Sequence, residues 1–115
     1  MRIAVPKEIR SGEKRVALVP DIISKLTKSG HQVVIESGAG VAAEYSDKQF
    51  IEAGAEVKSG DVLAGSDVIL SVQPLTPSQI KSLKKGALTI SFLSQATAAD
   101  SIEAAVNNSI TALSL

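Results

Sequence analysis

The chain has 115 residues, with 12 Lys plus Arg against 12 Asp plus Glu, one histidine and no cysteine; this is the size of one hydrophobic core, with no overall field to draw it onto nucleic acid or an anionic membrane. Disulfides, thiolate metal sites and a cysteine nucleophile are excluded, lone His31 cannot supply the paired imidazoles of most zinc enzymes, and three aromatics, Tyr45, Phe50 and Phe92, leave little to stack on bases. No run approaches the ~20 apolar residues that cross a bilayer and the N-terminus carries no signal-peptide apolar run, so a soluble, cytoplasmic protein without direct membrane insertion or nucleic-acid partner is expected.

Short aliphatic runs alternate with amphipathic segments from end to end, the pattern of an α/β layer structure with a mainly parallel sheet. Residues 2–5 form the first predicted strand, stopped by Pro6, which cannot donate to a ladder. Residues 15–18 read as a second short extended piece. Pro20 and Asp21 then open a helix with Ile22, Ile23 and Leu26 on one face, and Gly30 closes it. Residues 32–36 are the next strand, rich in β-branched Val33, Val34 and Ile35. Ser46-Asp47-Lys48-Gln49 matches the capping box, in which hydroxyl and amide satisfy each other's free backbone N–H groups, and Gly54 closes the helix it starts. A strand over 55–57, a small helical turn over 61–64 and a strand over 68–72 follow. Thr76-Pro77-Ser78-Gln79 is a second capping box with Pro77 at the first helical position, and Gly86 closes that helix. A strand over 87–92 precedes a weaker cap signal, Thr97 with Asp100, ahead of 102–106. The closing run 110–115 is strand-like, with neither polar tail nor following helix, which predicts that more chain follows. No residue-level repeat is present.

Four features bear on chemistry. Gly38-Ala39-Gly40-Val41-Ala42-Ala43 satisfies G-x-G-x-x-A just after a strand, the arrangement that brings backbone amides against a pyrophosphate. Its context argues against that use: the helix signal comes only at Ser46, and Glu56 is loosely placed for the acidic ribose partner. A tight turn with close backbone packing is the preferred reading. In the basic loop 7–15, Lys7, Arg10, Lys14 and Arg15 outnumber Glu8 and Glu13. Loops at strand ends of open sheets are where ligands bind, and Arg15 can present a fixed fork to a carboxylate or phosphate; solvated surface is the alternative. His31 follows Gly30 at a helix C-terminus and reads as a capping residue. Ser71 and Ser94 stand near strand ends that can face a cleft, with no base beside either, so packing or capping is preferred to nucleophilic work.

The opening Met1-Arg2-Ile3-Ala4-Val5-Pro6-Lys7-Glu8, the segment Arg15-Val16-Ala17-Leu18-Val19-Pro20 and, above all, Glu36-Ser37-Gly38-Ala39-Gly40 resemble the N-terminal domain shared by alanine dehydrogenase and nicotinamide nucleotide transhydrogenase. The likeness continues through Gly30-His31, Ala53-Gly54-Ala55 and Ser91-Phe92-Leu93, over essentially the whole chain. It implies a flavodoxin-like (Rossmann-like) three-layer sandwich, with the NAD-binding domain and its fingerprint further along the same protein. It also implies that NAD is the cofactor, held mainly outside this chain, and that hydride chemistry takes place between the two domains. For alanine dehydrogenases the resemblance implies a substrate-binding arginine at Arg15, a lysine at the position of Ser71 and a catalytic histidine at that of Ser94. Arg15 alone is of the required type, because serine replaces neither a cationic lysine nor an acid/base histidine. The segment Ser91-Phe92-Leu93-Ser94-Gln95 is more similar to the transhydrogenase version, while Ser71 departs from both patterns, since the resemblance implies a lysine there in many transhydrogenases as well. The expectation is the N-terminal part of a proton-translocating NAD(P) transhydrogenase alpha subunit, inactive alone, with Arg15 as its one substrate-binding residue and no residue of this chain catalytic. Its expected partners are the NAD-binding domain, the NADP-binding and membrane subunits and a second copy in a homodimer, placing it peripherally at the inner membrane. An NAD-dependent amino-acid dehydrogenase and a non-enzymatic flavodoxin-like binding module are the alternatives.

Overall fold

The computed structural model describes residues 1–9, 12–73, 75–91 and 110–114. In β1 (Arg2–Val5), Ile3 and Val5 join one buried cluster and Ala4 the other, because successive side chains of a strand point to opposite faces. The same division runs through β2 (Gln32–Glu36), where Val33 and Ile35 share a cluster with Ile3 while Val34 packs with Ala4. Both faces of the sheet are therefore covered, as a parallel sheet requires.

The remaining strands are β3 (Glu56–Lys58), β4 (Val68–Leu70), β5 (Leu88–Ser91) and β6 (Thr111–Ser114). All pairings are parallel, in the order β3-β2-β1-β4-β5-β6. Without the three-residue edge strand β3 this is the flavodoxin-like order, and with it the order of the doubly wound dinucleotide folds. The expected α/β sandwich with a mainly parallel sheet is the architecture observed. Helices α1 (Pro20–Lys28) and α2 (Asp47–Glu52) cover one face through Ile23 and Phe50, and α3 (Pro77–Lys81) covers the other through Ile80.

Local signals account for the helix ends. Both capping boxes form: the Ser46 hydroxyl accepts from Gln49 N–H and the Thr76 hydroxyl from Gln79 N–H, with each glutamine returning to its cap. At the end of α1, Gly30 takes φ of 91°, its N–H reaches the Thr27 carbonyl and His31 N–H reaches that of Leu26, the paired bonds of a Schellman cap. Gly54 closes α2 in the same way, with Ala55 N–H bonded to the Phe50 carbonyl. That bond keeps Ala55 in the helix cap, so β3 starts at Glu56, one residue later than expected.

Further expectations are corrected. Residues 15–18 are not a strand: β1 already pairs with β2 and β4 on its two edges, so Val16, Ala17 and Leu18 pack on the core without a ladder. Residues 61–64 are not a helical turn, because the Asp61 carboxylate accepts Leu63 N–H at 2.8 Å, a local bond that competes with helix formation. The second capping box starts a helix that ends at Lys81, and Gly86 lies in a later turn, where Ala87 N–H bonds the Lys84 carbonyl. Strand β4 stops at Leu70 rather than Val72, because the amides beyond it are taken by a side chain of the connection after β1. The helix expected over 102–106, Phe92 and Ser94 lie outside the described residues.

Replacing Ser46 or Thr76 by alanine should each cost about 1 kcal/mol, read as a lower urea midpoint at unchanged slope.

Candidate functional site

The strand order reverses between β1 and β4, so their following connections leave the sheet in opposite directions and open a crevice at its C-terminal edge. The connection after β1, residues 6–19, has no helix or strand among its described residues. It is held by side chains instead. The two oxygens of Glu8 accept Val72 N–H at 3.0 Å and Gln73 N–H at 2.9 Å. These amides turn away from the ladder after Ser71 N–H has bonded Ile90 O, which is why β4 ends early. The Gln73 amide then donates to Glu13 at 2.6 Å, and Glu13 takes Arg15 Nε at 3.0 Å, Nη2 at 2.9 Å and the Arg15 backbone N–H at 3.1 Å.

This arrangement settles where the expected residues lie. The Arg15 side chain is 64% exposed while that of Glu13 is 6% exposed, so the cation faces the crevice and its carboxylate partner lies beneath. Arg15 hydrogen-bonding, reinforced by the Gln73 amide, holds the Glu13 carboxyl down to about 2, and Glu13 in turn raises the Arg15 pKa. Arg15, Val16, Ala17, Leu70, Ser71, Val72 and Ile90 line a cavity of about 470 Å³. It is a largely apolar chamber with a guanidinium at its rim, suited to a ligand with an anionic end and a planar or aliphatic body. Ser71 reaches the chamber, but its hydroxyl donates to the Gln73 carbonyl at 2.8 Å, a turn role rather than that of a nucleophile. Lys7 is exposed on the other flank of Arg15, beside Gly38. His31 stands at the start of β2, at the opposite edge of the sheet, in agreement with its capping role. Arg10 lies outside the described residues.

In the sequence Glu8 and Glu13 are the minority charges of a basic loop, and nothing local singles out Gln73. The one local signal is the Glu-x-Arg spacing of 13 and 15; the other contacts join residues 60 or more apart in sequence.

The turn 38–43 has a different occupant from the one its glycines advertise. A Cβ on Gly40 would lie 2.5 Å from the Phe50 ring and 3.0 Å from Tyr45 Cβ, and Phe50 is fully buried, with its ring tilted against Tyr45 at 6.2 Å. The chain continues as one 3-10 turn, Val41–Ala43, and α2 begins only at Asp47. Asp47 reaches back to accept the Ser37 hydroxyl at 2.6 Å and Gly38 N–H at 2.9 Å, bonds that lower its pKa. The glycine that would admit a pyrophosphate admits an aromatic ring, and a carboxylate takes the Gly38 amide. These residues do not fit a dinucleotide phosphate.

Among the described residues, no helix is long and apolar enough to cross a membrane and no group of three or more acidic or histidine side chains is placed to hold a metal ion.

The model of the alanine dehydrogenase/PNT N-terminal domain matches residues 4–115. An NAD(P) transhydrogenase alpha-subunit chain of Rhodospirillum rubrum is 37% identical over 122 aligned positions, covering 100% of this chain and 32% of the relative. Alanine dehydrogenase 1 of Staphylococcus aureus is 31% identical over 114, covering 99% and 31%. Among solved structures, the transhydrogenase from Sinorhizobium meliloti superposes with a TM-score of 0.93 at 28% identity, covering 99% of this chain and 34% of that one. An L-alanine dehydrogenase gives 0.91 at 32%, covering 99% and 32%. The chain spans about a third of the length of these two curated relatives.

Two outcomes test the site. The Glu13 carboxyl should titrate by carbon-13 NMR near 2 instead of its ordinary 4.5, so its contribution to stability is complete above about 4.5 and lost as pH falls through about 2; a midpoint at 4.5 would show that the contacts do not form. Gly40→Ala should destabilise by about 1–3 kcal/mol through overpacking, and adding Phe50→Leu should recover part of the loss, a non-additivity measurable by urea unfolding.

Proposed function

The chain belongs to the alanine dehydrogenase/PNT N-terminal domain family, and from that premise we propose that it is the N-terminal domain of a proton-translocating NAD(P) transhydrogenase alpha subunit. It forms one wall of a cleft in which hydride passes between NADH and NADP, and a following NAD-binding domain supplies the other. Likeness over the full chain to a transhydrogenase alpha subunit supports this reading, as does the coverage of only a third of that relative.

The observation that carries it is the position of the chain's one histidine. Oxidising an amino acid moves a proton as well as a hydride and calls for a group such as histidine at the reacting carbon. His31 stands at the far edge of the sheet, away from the crevice. Direct transfer between two nicotinamides asks for no such histidine, since the nicotinamide when bound supplies the hydride chemistry. This chain's role is binding and orientation: Arg15 presents its guanidinium to an anionic group of the ligand, and the apolar lining of the chamber excludes water.

Because the turn 38–43 is filled by Phe50, the main nucleotide site belongs to the following domain, and the 115-residue chain is inactive alone. Proton movement runs through membrane segments of partner subunits, which hold this domain peripherally on the cytoplasmic side, paired with a second copy. A second reading, a dehydrogenase of small amino acids, is favoured by one feature, the guanidinium at the rim of an apolar chamber.

The complete protein should reduce an NADP analogue from NADH and show no alanine-dependent reduction of NAD; the reverse pattern selects the second reading. Arg15→Ala in that protein should raise the KM for the nucleotide about 10-fold, and unchanged kinetics would remove Arg15 from the ligand-binding residues. Calorimetry on the isolated chain should detect no NADH binding at micromolar concentrations, and such binding would overturn the assignment of the nucleotide to the other domain.

A further inference from the structure

Arg15 sits in a connection without secondary structure and projects into solvent, circumstances in which an arginine samples many rotamers and loses them at a cost on binding. Its surroundings remove that freedom. Glu13 grips the guanidinium through Nε and Nη2 and the backbone N–H of the same residue. Glu13 is itself covered and bonded by the Gln73 amide, and the backbone of Gln73 is fixed by Glu8. Glu8 and Glu13 belong to the connection after β1 and Gln73 to the connection after β4, so the bonds form a closed ring across the point where the strand order reverses. From this geometry we propose that Gln73 and Glu8 are positioning residues, which act through Glu13 to aim the Arg15 guanidinium at the anionic group of the ligand.

The proposal rests on the reading of Arg15 as a ligand-binding residue and adds what makes it effective. A guanidinium already oriented by a buried carboxylate binds an incoming anion with little reorganisation. Gln73 is a neutral donor, so it holds Glu13 without competing for it as a second cation would. Glu8 fixes two successive amides, so its loss frees the turn that carries both Ser71 and Gln73.

Gln73→Leu keeps the side-chain volume and deletes the amide. In the complete protein it should raise the KM for NADH about 10-fold with kcat within about 2-fold, as expected for a misaimed binding group. In the isolated chain it should move the Glu13 midpoint up towards its ordinary value and average the Arg15 Nε–H resonance, readouts that general destabilisation of a still-folded protein does not produce. Glu8→Gln should shift both in the same direction by less. If Arg15→Ala raises KM while Gln73→Leu leaves both KM and the Arg15 resonance unchanged, positioning is overturned and the ligand role of Arg15 stands. If Arg15→Ala leaves KM unchanged, the ligand role falls and the positioning proposal falls with it.

Discussion

β1 is hydrogen-bonded on both edges, to β2 on one side and β4 on the other, and the site depends on that double pairing. A strand paired twice and covered twice can carry only small or aliphatic side chains, and Ile3, Ala4 and Val5 are these. It also fixes where the chain reverses its order, hence where two connections diverge and leave a crevice. The connection after β1 has no edge left to pair with, so its apolar residues pack on the sheet while its polar ones turn to the neighbouring connection.

Those polar residues replace the ladder bonds found elsewhere. Glu8 accepts two consecutive amides at the end of β4, and Asp47 accepts an amide and a hydroxyl at the turn after β2. On the opposite edge, Asp67 takes the Arg2 N–H at 2.7 Å and pairs with Lys84, and both lower its pKa. In each case a carboxylate terminates or anchors a strand by satisfying backbone donors that would otherwise be stranded. The equal numbers of acidic and basic side chains hide this division of labour, since several acids are committed to backbone while Arg15 remains directed outward.

What was legible in the sequence was local or periodic. The two capping boxes are written within four residues each, and the alternation of aliphatic runs with amphipathic segments specifies a parallel sheet whichever strands are neighbours. The resemblance through Glu36-Ser37-Gly38-Ala39-Gly40 brought the fold with it. Residues 15–18 misled because their apolar pattern records burial, and burial does not distinguish a strand from a loop packed on a sheet. The contacts of Glu8 with Val72 and Gln73 were out of reach because they join segments 64 and 65 residues apart, and nothing local marks a glutamate as the terminator of a distant strand. Arg15 was singled out by its type and its place after β1; its partners were not.

The contact between Gly40 and Phe50 bears on how the turn after β2 could come to accept a dinucleotide phosphate. The glycine pattern after β2 is already in place, so further loop changes there would accomplish little while a buried ring fills the space beneath it. The obstacle is seated in α2, and Phe50 is also a principal side chain fastening that helix to the sheet. A redesign would have to vacate the ring, move the helix start forward to the glycines and find new core volume, three coupled changes that a lineage taking single steps would meet only by passing through less stable intermediates.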